Sequence, residues 1–198
     1  MKTLEDINKL SITEKYILML LYAAGGKVKG KLWFQKEMFE LSKAFKDLAD
    51  ELDFNAYSYG PFSEALDEYR DMLENSGLID GLRLTDKGLK SAENLWKSGS
   101  RREKEIIEAV VNFFEELDQD ELLLYTYVTS PEMTEKSDVR EKILRRRVEI
   151  ALKMLEKEKV SLSFAAKLAN LSVEEIIEIA IKRGIKLFDT QGELGNKS

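Results

Sequence analysis

Residues 77–97 read GLIDGLRLTDKGLKSAENLWK, and the fold turns on how this stretch is divided. Leu78-Ile79 and Leu82-Arg83-Leu84-Thr85 are short apolar-rich runs on either side of Asp80-Gly81. Such a pair favours the tight turn of a β-hairpin, because glycine reaches positive φ without strain. Thr85 or Asp86 then offers a side-chain oxygen to cap a helix running through Trp96. The chain thus puts a small hairpin immediately before a helix, and the elements on either side decide what the hairpin belongs to.

Upstream, Ser11-Ile12-Thr13-Glu14 fits a capping box, in which the serine oxygen and the glutamate each satisfy one orphan N–H. A helix follows through Ile17, Leu20, Leu21 and Ala24, and Gly25-Gly26 ends it. Phe34, Met38, Leu41, Phe45 and Leu48 recur at alternating spacings of four and three, one face of a single long helix. In NAYSYGPFSEALDEYRDML (55–73), the run up to Tyr59 reads as extended. Pro61 suits the first turn of the next helix, where its missing N–H has no partner to lose. Phe62, Leu66, Tyr69, Met72 and Leu73 give that helix a core face, and Ser76-Gly77 closes it. Residues 61–76 carry a net charge of −4, the wrong sign for a helix that reads DNA.

Downstream, Ser98 to Arg102 reads as a joint, followed by a helix from about Arg102 to Leu117. Leu122 to Val128 is ambiguous between helix and strand. Residues 129–138 hold the second proline and read as a linker, and from Val139 a helical pattern resumes through Leu144, Val148, Ala151, Leu152 and Leu155.

Two stretches look like sites. Gly25 to Lys31 has the spacing of a phosphate-binding loop, but Leu32 stands where Ser or Thr should hold Mg²⁺, and a helix precedes it where a strand should. The plainer reading is an inter-helix loop whose lysines Lys27, Lys29 and Lys31, with Lys36, are candidates for phosphate-backbone contact. The second stretch is VSLSFAAKLANLSVEEIIEIAIKRGI (160–185). Ala165, Ala166 and Ala169 supply the small face of a helix-turn-helix, Asn170 tolerates left-handed φ at its turn, and Ser172 can cap the second helix. Glu174, Glu175 and Glu178 then stand where a recognition helix would meet phosphates, so a packing or partner-docking module is the competing reading.

The composition narrows the chemistry. The chain has 198 residues, 43% hydrophobic and 34% charged, with a net charge of −6 and neither Cys nor His. Disulfides, thiolate zinc sites and catalysis through Ser-His or Cys-His pairs are therefore excluded. A carboxylate-only Mg²⁺ site is the metal site that the composition leaves open, and no carboxylate cluster stands apart from the general acidity, so neither cofactor nor metal is expected. The abundance of Lys, Arg and Glu with only three Gln suggests a heat-adapted cytoplasm. MKTLEDINKL has no apolar signal region and no stretch is long and apolar enough to span a bilayer, so no membrane partner is expected. Both halves are acidic overall, so any contact with duplex DNA must come from local patches. The densest is Arg140 to Arg147, with a net charge of +4, in which Arg145, Arg146 and Arg147 are the candidates; Arg83 and Lys87 of the hairpin are the others.

The order helix, helix, helix, hairpin, helix over residues 11–97 resembles a winged helix, and LENSGLIDGLRLTDKG is similar to the wing of many small regulators. YSYGPFSEAL, with FQKEMF upstream, resembles the Panacea (SocA-like) antitoxin domain. Ser161, Ala165, Ala166, Leu168, Ala169, Leu171 and Ser172, followed by Arg183-Gly184-Ile185, match the pattern of the UPF0175 family. The resemblances imply regulation rather than catalysis. The expectation is a mostly α protein with an N-terminal winged helix (1–98), a helical connector and linker (99–138), a C-terminal helix-turn-helix (139–188) and a flexible tail (189–198). It is a non-enzymatic regulator that binds DNA or a toxin-like protein; the alternative is an adaptor without DNA binding that docks through acidic helices Glu174, Glu175 and Glu178. A homodimer is compatible with either.

Overall fold

The computed structural model describes residues 9–187, so the tail expected at 189–198 lies outside them. Among the described residues the chain is mostly helical, with two small antiparallel two-stranded sheets. They form two units that divide between Arg140 and Glu141.

The first unit is built around helix α1 (Ile12–Ala23). Its capping box is present: Glu14 N donates to Ser11 Oγ at 3.1 Å, and Ser11 N to Glu14 Oε2 at 2.8 Å. Tyr16 through Leu21 are all buried, more than one amphipathic stripe would predict. The reason is that four helices and a strand, introduced below, pack around α1 and leave it almost no solvent face. Each fully buried Leu or Ile contributes roughly 1.5–3 kcal/mol.

The expected long helix is broken. α2 (Lys31–Ala44) ends at Phe45, whose extended backbone (φ −125°, ψ 105°) starts α3 (Lys46–Leu52). The Phe45 ring sits 4.7 Å from that of Tyr16, and the bend lets Leu48 and Leu52 bury where α3 packs on α1. The apolar spacing carries no mark of this break, because Phe45 keeps its place in the core pattern.

Pro61 does not start a helix. It lies in β2 (Gly60–Phe62), paired antiparallel with β1 (Asn55–Tyr57), with Ala56 opposite it. A two-stranded sheet has an edge that tolerates the missing donor. The cap of α4 (Glu64–Asn75) is Ser63, whose Oγ accepts from Leu66 N at 3.1 Å and donates to Leu52 O. Glu64 and Asp67 lie in the first turn of α4, where the helix dipole favours acids.

A hairpin forms within residues 77–97, but its turn falls one residue later than expected: β3 (Ile79–Asp80) and β4 (Arg83–Leu84) pair antiparallel with Asp80 opposite Arg83, so Gly81-Leu82 make the turn, and Thr85 caps α5 (Asp86–Ser98). The loop after α1 adds to its edge, with Val28 N donating to Leu82 O at 3.2 Å and Leu84 N to Gly26 O at 2.8 Å.

Residues 99–138 are not a bare connector. α6 (Arg101–Glu116) puts Ile107 and Val111 into the core around α1. The ambiguous run at Leu122 is helical, as part of α7 (Gln119–Thr129). A short 3₁₀ turn (Pro131–Thr134) then packs against β1 and β2, and the segment holds the first hairpin in place: Asp138 N donates to Ser58 O at 3.1 Å, as does Ser137 Oγ.

The chain passes between the units in α8 (Arg140–Arg145). In the second unit the helical pattern from Val139 is again interrupted, at Arg146 (φ −99°, ψ 7°), before α9 (Arg147–Glu156). α9 packs on α10 (Leu162–Ala169), and α10 on α11 (Val173–Lys182). Asn170 joins the last two with φ 58° and ψ 46°, and Leu171 N returns to Ala166 O at 3.0 Å. Ala166 is buried. Ala166→Leu should overpack this corner at a cost of about 1–3 kcal/mol. Asn170→Gly should be near neutral, and Asn170→Val should lower the melting temperature, since a β-branched residue is strained at positive φ. Thermal melts of the three variants test this, and a tolerated Ala166→Leu would place the close approach elsewhere.

Candidate functional site

α2 is buried along its middle: Phe34 through Phe39 have almost no exposure, including Gln35, Lys36 and Glu37. It packs against α3, α6 and β2, so a polar side chain has little route to solvent on any face. Gln35 is satisfied at both ends of its amide, donating to Ser63 O at 3.0 Å and accepting from Ser63 N at 2.9 Å. Lys36 is 3% exposed, and its Nζ donates to Pro61 O at 2.7 Å. Burial lowers its pKa to about 7. Glu37 is fully buried, and among the described residues neither carboxyl oxygen has a hydrogen-bond partner. Burial first, and then the Glu115 carboxylate, raise its pKa to about 8, against a smaller pull from Lys29.

Lys36 is one of the residues lining a pocket of about 260 Å³ between α2 and the β1–β2 hairpin, whose surface is almost wholly apolar. Tyr57 and Phe62 form one wall, their ring centroids 5.3 Å apart and their planes tilted 31°. Tyr59 and Gly60 line the pocket from the hairpin tip, and Lys31 stands at the α2 side, its Nζ 2.6 Å from Asp67 Oδ2 and over the Phe62 ring. Gly60 has φ +90°, which a side chain would strain, and an added Cβ would sit 3.7 Å from Lys36 Nζ. Tyr57 and Tyr59 are among the most exposed large apolar side chains described.

The cations singled out in the sequence have different partners within the two units. Lys29 donates to the carbonyls of Glu115 and Leu117, and so caps the end of α6. Lys87 donates to Ser76 O at 2.9 Å. Arg145 pairs with Glu141 and Arg146 with Glu149, each at 3.1 Å. Arg147 donates through Nε to Leu168 O at 2.7 Å and through Nη2 to Lys167 O, so it closes the C-terminal end of α10, and burial lowers its pKa. Lys27 and Arg83 are exposed and sit opposite each other in an antiparallel bridge at the edge of the β3–β4 hairpin.

Glu174 and Glu178 lie exposed on α11, between the exposed apolar side chains of Val173 and Ile181. Glu175 serves the helix itself, accepting from Ser172 N at 2.7 Å to complete a capping box with Ser172. As acids in one run the three glutamates look alike, and the S-x-x-E spacing from Ser172 is the signal that separates Glu175 from the other two.

Among the described residues no group of three acidic side chains could hold a metal ion, and no helix is long and apolar enough to cross a membrane. The chain matches no protein-family model, and no curated protein or solved structure gives a significant match to it.

Proposed function

We propose that this chain is a non-enzymatic, antitoxin-like regulator that acts by docking a basic protein partner. In this reading α1, α2, α4 and the β3–β4 hairpin form a winged helix of the Panacea kind. The third, strand-like segment that the loop after α1 adds to the hairpin supports that assignment. α10 and α11, joined through left-handed Asn170, form a helix-turn-helix of the UPF0175 kind.

The observation that carries the choice of a protein over DNA is how the cations are used. Arg147, Lys29 and Lys36 are engaged within the fold, and Arg145 and Arg146 each stand beside a glutamate. An exposed ion pair is weak and can exchange, but its acid still cancels the local field that a phosphate backbone would need. α11 offers the opposite surface: two exposed glutamates beside two exposed apolar side chains, a polar rim next to anchors a partner could cover.

The test is a pull-down from the native cell with the bound protein identified by mass spectrometry. Wild type should retain a basic partner that Glu174→Lys with Glu178→Lys releases, while both proteins melt alike, because exposed charges add little to stability. A partner retained equally by both would overturn docking through α11.

Lys27 and Arg83 favour a second reading, in which the hairpin edge touches a DNA backbone. Duplex DNA would then bind with a steep salt dependence, and changing both residues to Ala would flatten the slope by about two. An unchanged slope would remove the hairpin edge from consideration.

A further inference from the structure

We propose that the pocket between α2 and the β1–β2 hairpin binds a small, uncharged, planar ring compound, held by its ring against Tyr57 and Phe62 and by no charged group. This goes beyond the docking role, which uses α11, so either can fail without the other.

Three features support it. The first is what the polar side chains along the pocket do with their head groups. Lys31, Gln35 and Lys36 all line it from α2. The Lys31 ammonium lies 2.6 Å from Asp67 Oδ2, the Gln35 amide is held at both ends by Ser63, and the Lys36 ammonium donates to Pro61 O. With the heads bonded elsewhere, these residues contribute their methylene stems to the wall, beside Leu32, and the pocket surface is almost wholly apolar. A charged ligand would leave its water there with nothing to replace it, which selects an uncharged one.

The second is the aromatic wall. The Tyr57 and Phe62 ring centroids are 5.3 Å apart, and Tyr57 is 58% exposed, so part of this aromatic surface has nothing packed on it. Planar rings pack on such surfaces in offset or edge-on contact. The third is a preformed space of the right size. An apolar cavity of ~150 Å³ holds benzene, so a pocket of about 260 Å³ has room for a substituted ring or two fused rings. The bonds of Gln35 and Lys36 tie α2 to Ser63 and Pro61, and those from Ser137 and Asp138 to Ser58 O hold the hairpin tip, so the walls stand before any ligand arrives.

The experiment compares indole and toluene with benzoate and benzylamine on the full chain, by thermal shift and calorimetry. Indole and toluene should raise the melting temperature. The two ions, close to toluene in size, should bind at least about tenfold more weakly than toluene, because each has to shed the water around its charge. Leu32→Trp puts a larger side chain on the pocket wall and should abolish indole binding, with its own unliganded melt as the control. Tyr57→Ala, at an exposed position, should keep the fold and weaken indole binding by about two- to tenfold, the value of one aromatic contact. No response to indole or toluene, benzoate or benzylamine bound as tightly as toluene, or indole binding unchanged in either variant would each overturn the proposal.

Discussion

Gly88→Ala is expected to destabilise the protein by about 3 kcal/mol or more, although the change adds a single methyl group to a helix. Helix propensity alone predicts the opposite sign, since Ala is favoured over Gly in a helix interior by about 1 kcal/mol. The difference is steric. A Cβ on Gly88 would lie 1.8 Å from Leu78 O and 2.8 Å from Leu78 C, and both are backbone atoms. Leu78 cannot easily give way: its side chain is buried, its N donates to Leu73 O at 3.0 Å, and its O accepts from Thr85 N and Thr85 Oγ1, each at 3.1 Å. Thr85 in turn caps α5 through Gly88 N. Room for the methyl group would have to come from the Leu78 backbone and the cap together. Gly30→Ala is the control, because nothing lies within 4 Å of its added Cβ, and it should change stability by less than about 0.5 kcal/mol. Thermal or denaturant melts of the two variants decide the matter. A Gly88→Ala protein as stable as wild type would mean that the Leu78 backbone and α5 are not in this contact.

That contact also shows what the sequence could convey and what it could not. The presence of a hairpin and of the cap at Thr85 within residues 77–97 was legible, since glycine turns and helix caps act locally, while the turn itself lies at Gly81-Leu82 because Asp80 pairs with Arg83. The need for glycine at 88 was not legible, because it depends on a backbone ten residues away. The capping box at Ser11 and positive φ at Asn170 were legible for the same local reason. The breaks at Phe45 and Arg146 were hidden, since both residues continue the helical spacing around them. Pro61 misled because a proline after glycine fits a helix start and an edge strand equally well, and only the pairing with Ala56 separates the two. The candidate pocket was hidden more deeply. Lys36 and Glu37 sit in the middle of a helix that is buried there all round, where periodicity cannot distinguish a solvent face from a core face, so Lys36, read as a surface cation, is interior, as is Glu37 beside it. Arg147 looked like one member of a basic run, and its role at the end of α10 needed residues twenty positions further on.

Lys36 and Glu37, adjacent in sequence and both buried, should give melts that depend on pH in opposite directions. The folded pKa of Glu37, about 8, lies above the ordinary 4.5. Its contribution to stability is therefore full below pH 4.5 and is lost as the pH rises through 8. The folded pKa of Lys36, about 7, lies below the ordinary 10.5. Its contribution is full above pH 10.5 and is lost as the pH falls through 7. Glu37→Gln should therefore stabilise most above pH 8, and Lys36→Met most below pH 7. Each gain should be of order 3 kcal/mol at its own end, because removing an uncompensated buried charge relieves a desolvation cost. The gain at Lys36 is reduced by about 1 kcal/mol for the lost hydrogen bond to Pro61 O. At the opposite ends each side chain is neutral in the folded protein, so Glu37→Gln should approach wild type, and Lys36→Met should lie about 1 kcal/mol below it for the lost hydrogen bond. Melting temperatures of the three proteins at pH 5.5 and pH 9 make the comparison, as pH values about 1–1.5 units beyond the two shifted pKa values. Parallel pH profiles for all three would show that neither side chain is buried with its charge at stake.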